Sequence, residues 1–305
     1  MPNSHPSLPR FDLIQLGSLA EASQFLSEHS TDARPFLGGT DLFVRLRDGH
    51  IKLNYLLDLK NIQGMHDLRF DPQAGLTIGS AVPMNRVIDF PDVQAHYPLL
   101  MEAAQSVASY QLRNRATIVG NICNASPAGD TNGAALAYQA SLQVFASGGE
   151  RTMPLADFFL GPGKSTLKPG EIVSAIHFPL PPKGHHARYI KLGRNTLSDL
   201  SIVGVAVMGY PDPVVTSGFS FRIVLASVAP VPLITHQAQT LLSQKPLTEK
   251  TIQEAALSAS QACQPIDDVR ASAEYRKAMV LNLTHQALLD VWHRLQTPEP
   301  KAKGG

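Results

Sequence analysis

Apolar positions change their spacing repeatedly over the first sixty residues. Leu19, Ala22 and Leu26 recur at helical intervals behind Ser18-Leu-Ala-Glu21, which reads as a capping box. Pro35-Phe-Leu37 is a short buried strand that runs into Gly38-Gly39. Thr40-Asp41 stands where a helix can be capped, with Leu42, Phe43 and Leu46 on its apolar side and Asp48-Gly49 to stop it. Tyr55-Leu-Leu-Asp-Leu59 is the next strand, completing a small β-turn-α-β unit.

Leu68 to Phe70 and Leu76 to Ile78 predict a hairpin across Asp71-Pro-Gln-Ala-Gly75. Residues 83–108 read as helix interrupted at Pro91 and Pro98. Thr117-Ile-Val has a strand-like apolar start, then a turn of small residues leads to Asp130-Thr131, an N-cap for an alanine-rich helix. Ser141 to Ala146 and Arg151 to Leu155 pair across Ser147–Glu150, and Pro154 to Phe159 is a short helix. Gly161 to Gly170 is a loop, and Glu171 to Pro179 a strand. Its Gly-Lys-Ser lacks the spacing of a phosphate loop, and no helix follows.

Pro179-Leu-Pro-Pro-Lys-Gly184 marks the domain boundary. Strands are expected at 187–193, 201–209 and 219–228, and helices near 235–243, 249–262 and 272–295. The last helix carries Tyr275, Met279, Leu283, Leu288 and Trp292 as its expected buried stripe. Strands followed by helices give an α+β second domain. The division is thus 1–180, with subdomains of about 1–60 and 61–180, then 185–297, and a disordered tail at 298–305.

The composition narrows the function. Hydrophobic residues make up 44% of 305, enough for a substantial core, and the net charge is +1. That balance makes no case for nucleic acid or a charged membrane surface. No apolar run is long enough to span a bilayer, and the first residues lack a signal-peptide pattern, so a cytoplasmic protein is expected. Cys123 and Cys263 are the sole cysteines, too few for an iron–sulfur cluster and expected as small buried residues. His185 and His186 stand in the linker without a set of further metal ligands, so no metal site is expected.

Two stretches, Pro35–Leu42 and Thr117–Asp130, share one design. Small residues let backbone approach a ligand, and turn amides with a following helix start favour anionic oxygens. Together they suggest two halves of a pyrophosphate cradle; either alone also reads as an ordinary glycine turn. Asp41 and Asp130 repel phosphate, so they accept from sugar hydroxyls or cap helices. Lys191 alone reads better as an exposed lysine. Arg194 and Asp199 either form a structural pair or approach a ligand.

Several motifs occur in a fixed order. They are Gly38-Gly-Thr-Asp41, Val44-Arg-Leu-Arg-Asp-Gly49, Leu57-Asp-Leu-Lys60, Arg113-Asn-Arg-Ala-Thr-Ile-Val-Gly-Asn121 and Asn124-Ala-Ser-Pro-Ala-Gly-Asp130. Phe158-Phe159, Gly161-Pro-Gly-Lys164, Gly170-Glu-Ile172, Lys191 with Arg194, and Ser272-Ala-Glu-Tyr-Arg276 follow. Over roughly residues 10–295 the set resembles the FAD-binding medium subunit of the molybdenum hydroxylases, the family of carbon monoxide dehydrogenase and the xanthine dehydrogenase flavin portion.

The resemblance implies an FAD domain of two α+β subdomains, of the vanillyl-alcohol oxidase type, followed by a smaller α+β C-terminal domain. It implies that Pro35, Phe36, Leu37, Gly38, Gly39, Thr40, Asp41 and Leu42 wrap the pyrophosphate and ribitol. Thr117, Ile118, Val119, Gly120 and Asn121 would form the second side. Asp130 and Lys191 would add polar contacts, Val173 would line the nucleotide pocket, and Val107 would lie near the flavin. Where the family commonly has Gly-Gly-Asn, this chain has Val119-Gly-Asn121, so either the pocket takes a side chain or the local path differs.

No protein nucleophile is required, so no catalytic side chain is assigned. The implied oxidoreductase role is electron transfer from the [2Fe–2S] clusters of a small subunit, through FAD, to an external acceptor. A large subunit would hold the molybdenum cofactor, in a heterotrimer or a dimer of heterotrimers. Two rivals stay open: a self-contained flavin oxidase or dehydrogenase, and a non-catalytic assembly subunit.

Overall fold

A computed structural model describes residues 7–195 and 199–297. The expected tail at 298–305 lies outside the described residues, as do residues 1–6. The chain divides into two compact units. One comprises the chain up to His96, Val107–Ser126 and Tyr138–Leu180; the other comprises Tyr97–Ser106, Pro127–Ala137 and the chain from Pro181.

The first unit holds a parallel sheet with Tyr55–Asp58 between Asp12–Gln15 and Ala33–Phe36. The helix Leu19–Glu28 begins as its sequence predicts: Ser18 Oγ accepts from the Glu21 amide, and Glu21 returns to the Gly17 amide at 2.9 Å. Its Ala22 and Leu26 join Leu57, Leu59 and Ile172 in one core. A five-stranded antiparallel sheet follows the order Leu68–Asp71, Gly75–Gly79, Ile172–Phe178, Ser141–Ala146, Gly149–Pro154. The hairpin at 71–75 is closed by Asp71, whose carboxylate accepts from the Gln73 and Ala74 amides. Gly75 has φ +112°, and a Cβ there would stand 2.2 Å from the Phe178 carbonyl oxygen. The segment expected as a plain loop at 161–170 contains a strand pair, Phe159–Gly161 with Lys164–Ser165, turned at Gly163.

The second unit is a four-stranded antiparallel sheet, His186–Leu192, Val203–Pro211, Phe219–Ala226 and Leu233–Ile234. Helices His236–Gln244, Glu249–Ala262 and Ala273–Gln296 pack with it, and helices Pro98–Gln105 and Asp130–Ala137 belong to the same unit. Val205, Val207, Ile223 and Leu225 pack with Ala255, Val280 and Val291 in its core. The two-residue Leu233–Ile234 strand is too short to leave a periodic trace in sequence.

The buried stripe of the last helix differs from the expected one. Arg276, Val280, Thr284, Ala287, Leu288 and Val291 are buried, whereas Tyr275 is 44% exposed and Met279, Leu283 and Trp292 are half-buried. Leu288 is buried as expected; in the first half of the helix the buried positions fall one residue later, at Arg276, Val280 and Thr284, where Arg276 goes inward to bond Asp268 and two backbone carbonyls. Among the described residues, no helix is long and apolar enough to cross a membrane.

The rotated stripe separates two substitutions. Val280→Ala should lower unfolding stability by about 1.5–3 kcal/mol, from two lost buried carbons and the cavity they leave. Tyr275→Ala should stay within about 0.5 kcal/mol. Urea denaturation of both variants gives the comparison.

Candidate functional site

The strand Ala33–Phe36 ends in the turn at 37–40, and the helix Leu42–Arg47 follows. Pro35 and Phe36 thus close the strand, Leu37 to Thr40 form the turn, and Leu42 opens the helix. Asp41 occupies the N-cap position, but its side chain makes no capping bond. Gly39 has φ +72°, a conformation that favours glycine, and a Cβ there would lie 2.5 Å from the Phe43 ring. Gly38 sets the tighter constraint. A Cβ on it would stand 2.0 Å from the Arg115 carbonyl oxygen and 3.1 Å from the Ala116 Cα. The first stretch therefore rests directly on the backbone that leads into the second.

Lys60 buttresses this turn. Its ammonium lies 2.6 Å from Asp58, 3.4 Å from the Leu37 carbonyl and 4.1 Å from the Phe36 ring centre. Burial raises the Asp58 pKa, but its bonds from Lys60 prevail and hold it below the usual carboxylate value.

The second stretch is helical where a strand-like start was expected. Ile118–Cys123 is a helix, with Thr117 as its N-cap: Thr117 Oγ1 accepts from the Gly120 amide at 2.9 Å. The apolar run Ile118, Val119 and Ile122 is that helix's buried face. The Ala116 carbonyl accepts from the Met84 amide at 2.8 Å, which fixes where the helix starts. The Ile118 and Val119 amides, at the head of the helix, have no carbonyl acceptor within it. The next two amides are taken by Thr117: Gly120 donates to its hydroxyl and Asn121 to its carbonyl at 3.0 Å. Val119 is 1% exposed, so its side chain lies in the core. Helical backbone needs no glycine, which explains how valine occupies the position.

Val173 sits on Ile172–Phe178, buried at a strand irregularity, and its carbonyl accepts from Ser80 Oγ at 2.6 Å. The Val107 carbonyl accepts from Arg113 at 2.8 Å, which orders the segment before the Arg113–Asn121 motif. Arg194 and Asp199 form an ion pair at 3.7 Å. Cys263 is buried, but Cys123 is exposed, against expectation, because it ends its short helix on the side away from Ile118, Val119 and Ile122.

Asp130 and Lys191 meet within the second unit. The Asp130 carboxylate accepts from Lys191 Nζ at 2.7 Å, Tyr189 Oη at 2.8 Å and Ser201 Oγ. Lys191 also donates to the Ser106 carbonyl at 2.8 Å. Burial first, and then the Asp130 charge, push the Tyr189 pKa well up, so the phenol remains a donor. Asp130 is thus the first residue of its helix with its carboxylate turned to side chains, in place of the capping role read from the sequence. Tyr189 and Ser201 were missed. They lie 59 and 71 residues from Asp130, with no local pattern linking them.

Two family descriptions match the chain: the FAD-binding domain in molybdopterin dehydrogenase over residues 9–181, and the CO dehydrogenase flavoprotein C-terminal domain over 188–291. The chain is 32% identical to the carbon monoxide dehydrogenase medium chain of Hydrogenophaga pseudoflava, over 94% of this chain and 98% of that one. It is 31% identical to a putative xanthine dehydrogenase FAD-binding subunit of Escherichia coli K12, over 89% and 92% respectively. A solved carbon monoxide dehydrogenase from Hydrogenophaga pseudoflava superposes with TM-score 0.90, covering 94% of this chain and 99% of that one. The chain belongs to the FAD-binding subunits of the molybdenum hydroxylases, and is an oxidoreductase component with an FAD-binding domain followed by a flavoprotein C-terminal domain.

The residues fit FAD. The turn at 37–40 and the head of the Ile118 helix are lined by backbone, and a Cβ at Gly38 would drive them apart. Neutral amide donors of this kind suit a diphosphate in a chain with little excess charge.

Gly38→Ala should therefore lower FAD retention in protein that still folds, measured as flavin absorbance per chain alongside circular dichroism. Wild-type flavin content would contradict the shared seat. The Asp58–Lys60 bond gives a pH dependence with a definite sign. A carboxylate whose folded pKa is depressed adds stability above its unfolded value, near about 4. That stability is lost as pH falls through the folded pKa. Between pH 6 and pH 3 the melting temperature should fall less steeply in Asp58→Asn than in the parent protein.

Proposed function

We propose that this chain is the electron-transfer subunit that carries FAD between the [2Fe–2S] clusters of a small subunit and an external acceptor. A large subunit holds the molybdenum cofactor and the organic substrate. The observation that carries the reading is the seat of Gly38 on Arg115–Ala116, which brings the two turns side by side. Pro35 to Leu42 wrap the pyrophosphate and ribitol from one side. Thr117 to Asn121 take the other, with Thr117 Oγ1 fixing the first turn of the helix. Val173 lines the nucleotide pocket.

Asp130 and Lys191 serve the same cofactor in different ways. Asp130 is buried and already accepts from three donors, so its part is to hold Lys191 rather than to bind a sugar hydroxyl itself. Lys191 has three ammonium protons and donates two of them, to Ser106 and Asp130, leaving one donor direction for the cofactor. When bound, FAD supplies the exchange between single electrons and electron pairs, and the protein supplies position and electrostatics.

The family matches over 9–181 and 188–291 favour residues 1–180 as an FAD domain and 185–297 as the C-terminal domain, and the family resemblance favours two subdomains of the vanillyl-alcohol oxidase type within the first. The named relatives are a medium chain and an FAD-binding subunit, which favours a heterotrimer or a dimer of heterotrimers. Two unpaired cysteines suit a cytoplasmic location.

Purification of the native complex tests this directly. Iron, molybdenum and FAD should co-elute with the chain, and dithionite-free reduction by the complex's substrate should bleach the flavin absorbance. A chain that purifies alone and turns over a small substrate would contradict the proposal.

A further inference from the structure

The Ser272–Arg276 motif has so far no role, yet its arginine is the most deeply buried cation described, at 1% exposure. Its guanidinium donates to the Ile202 carbonyl at 2.6 Å, the Ser227 carbonyl at 3.1 Å and Asp268 at 2.7 Å. Both carbonyls lead to Asp130. Ser201, beside Ile202, donates through its hydroxyl to the Asp130 carboxylate. Ser227, held at φ +66°, donates its amide to the Pro127 carbonyl at 2.8 Å, three residues before Asp130. Arg276 therefore grips the surroundings of Asp130 from two sides.

Asp268 organises the grip. It accepts from Arg270 Nε at 3.0 Å and from the Arg270 amide at 2.8 Å, as well as from Arg276. Arg270 in turn donates to the Ser201 carbonyl at 3.1 Å. Ser201 is thus fixed through its carbonyl from the C-terminal segment and through its hydroxyl to Asp130. Burying a guanidinium is costly unless it is paired and hydrogen-bonded, and Arg276 meets that condition only through Asp268 and these two carbonyls. The path from helix Ala273–Gln296 to Lys191 lies entirely within the second unit.

We infer that Arg276, together with Asp268 and Arg270, is the positioning group for the Asp130–Lys191 pair, and so sets how firmly the chain holds FAD. The inference rests on the reading that Lys191 addresses bound FAD. It assigns Arg276 no contact with the cofactor. Its effect passes through Ser201 and Pro127 to Asp130, and from Asp130 to the ammonium.

The test uses the full chain reconstituted with FAD. The dissociation constant is read from flavin fluorescence and the midpoint potential from spectroelectrochemistry. Variants are Lys191→Met, Asp130→Asn, Arg276→Met, Arg276→Lys and Asp268→Asn, each assayed below the onset of its own apo melting curve. Should Arg276→Met not fold, Asp268→Asn carries the test, since it loosens the same grip from a partly exposed position. Arg276→Met and Asp268→Asn should each weaken FAD binding about tenfold and move the potential in the same direction as Lys191→Met. Arg276→Lys should restore part of both. Adding Lys191→Met to either should bring little further loss, as expected of residues acting through one group. Fully additive losses, or wild-type affinity and potential in Arg276→Met and Asp268→Asn while Lys191→Met changes both, would overturn the positioning role. Wild-type values in Lys191→Met and Asp130→Asn would instead remove the pair from the FAD site, and the inference with it.

Discussion

The candidate site depends on one contact between backbones. Gly38 lies so close to the Arg115 carbonyl that no other residue type fits there. Two turns nearly eighty residues apart in sequence are thereby held as one surface. Everything else near the site keeps those turns in place. Gly39 bends the first with a positive φ, Lys60 ties it to Asp58 and Phe36, and the Thr117 hydroxyl with the Met84 amide fixes the second. An anion met by such a surface is bound by donors that cannot rearrange, which favours a diphosphate without a cluster of cations.

The second unit follows a different principle. Its important polar groups are buried or partly buried side chains, each bonded to several partners. Asp130 takes three donors, Asp268 takes two arginines, and Arg276 bonds two carbonyls as well as Asp268. Buried charges are tolerable only when paired and hydrogen-bonded, and such arrangements are stiff. The C-terminal helix thus does more than cover the sheet. It reaches through Arg276 to the segment that holds Asp130.

Local chemistry was legible in the sequence; long-range chemistry was less so. The Ser18–Glu21 capping box, the Asp71–Gly75 hairpin and the breaks at Pro91 and Pro98 are each decided within a few residues, and the structure has them. Thr117-Ile-Val looked like a strand because β-branched residues favour one, but the threonine hydroxyl caps a helix instead. The first half of the last helix turns a different face inward because Arg276 is buried against Asp268, and periodicity counts an arginine as exposed. The partners of Asp130 were invisible for the same reason: Tyr189 and Ser201 reach it only after a sheet has formed. The two glycine turns are separate signals that their order among the other motifs joins; the close seat of Gly38 on the Arg115 carbonyl exists only once the chain has folded.

Hydrogen exchange of the full chain with and without FAD addresses the shared seat most directly. The account predicts that amides at 38–40 and at 118–120 slow together on FAD addition, over the same range of FAD concentration. Protection of one stretch with the other unchanged would contradict a single cradle built on the Gly38–Arg115 contact.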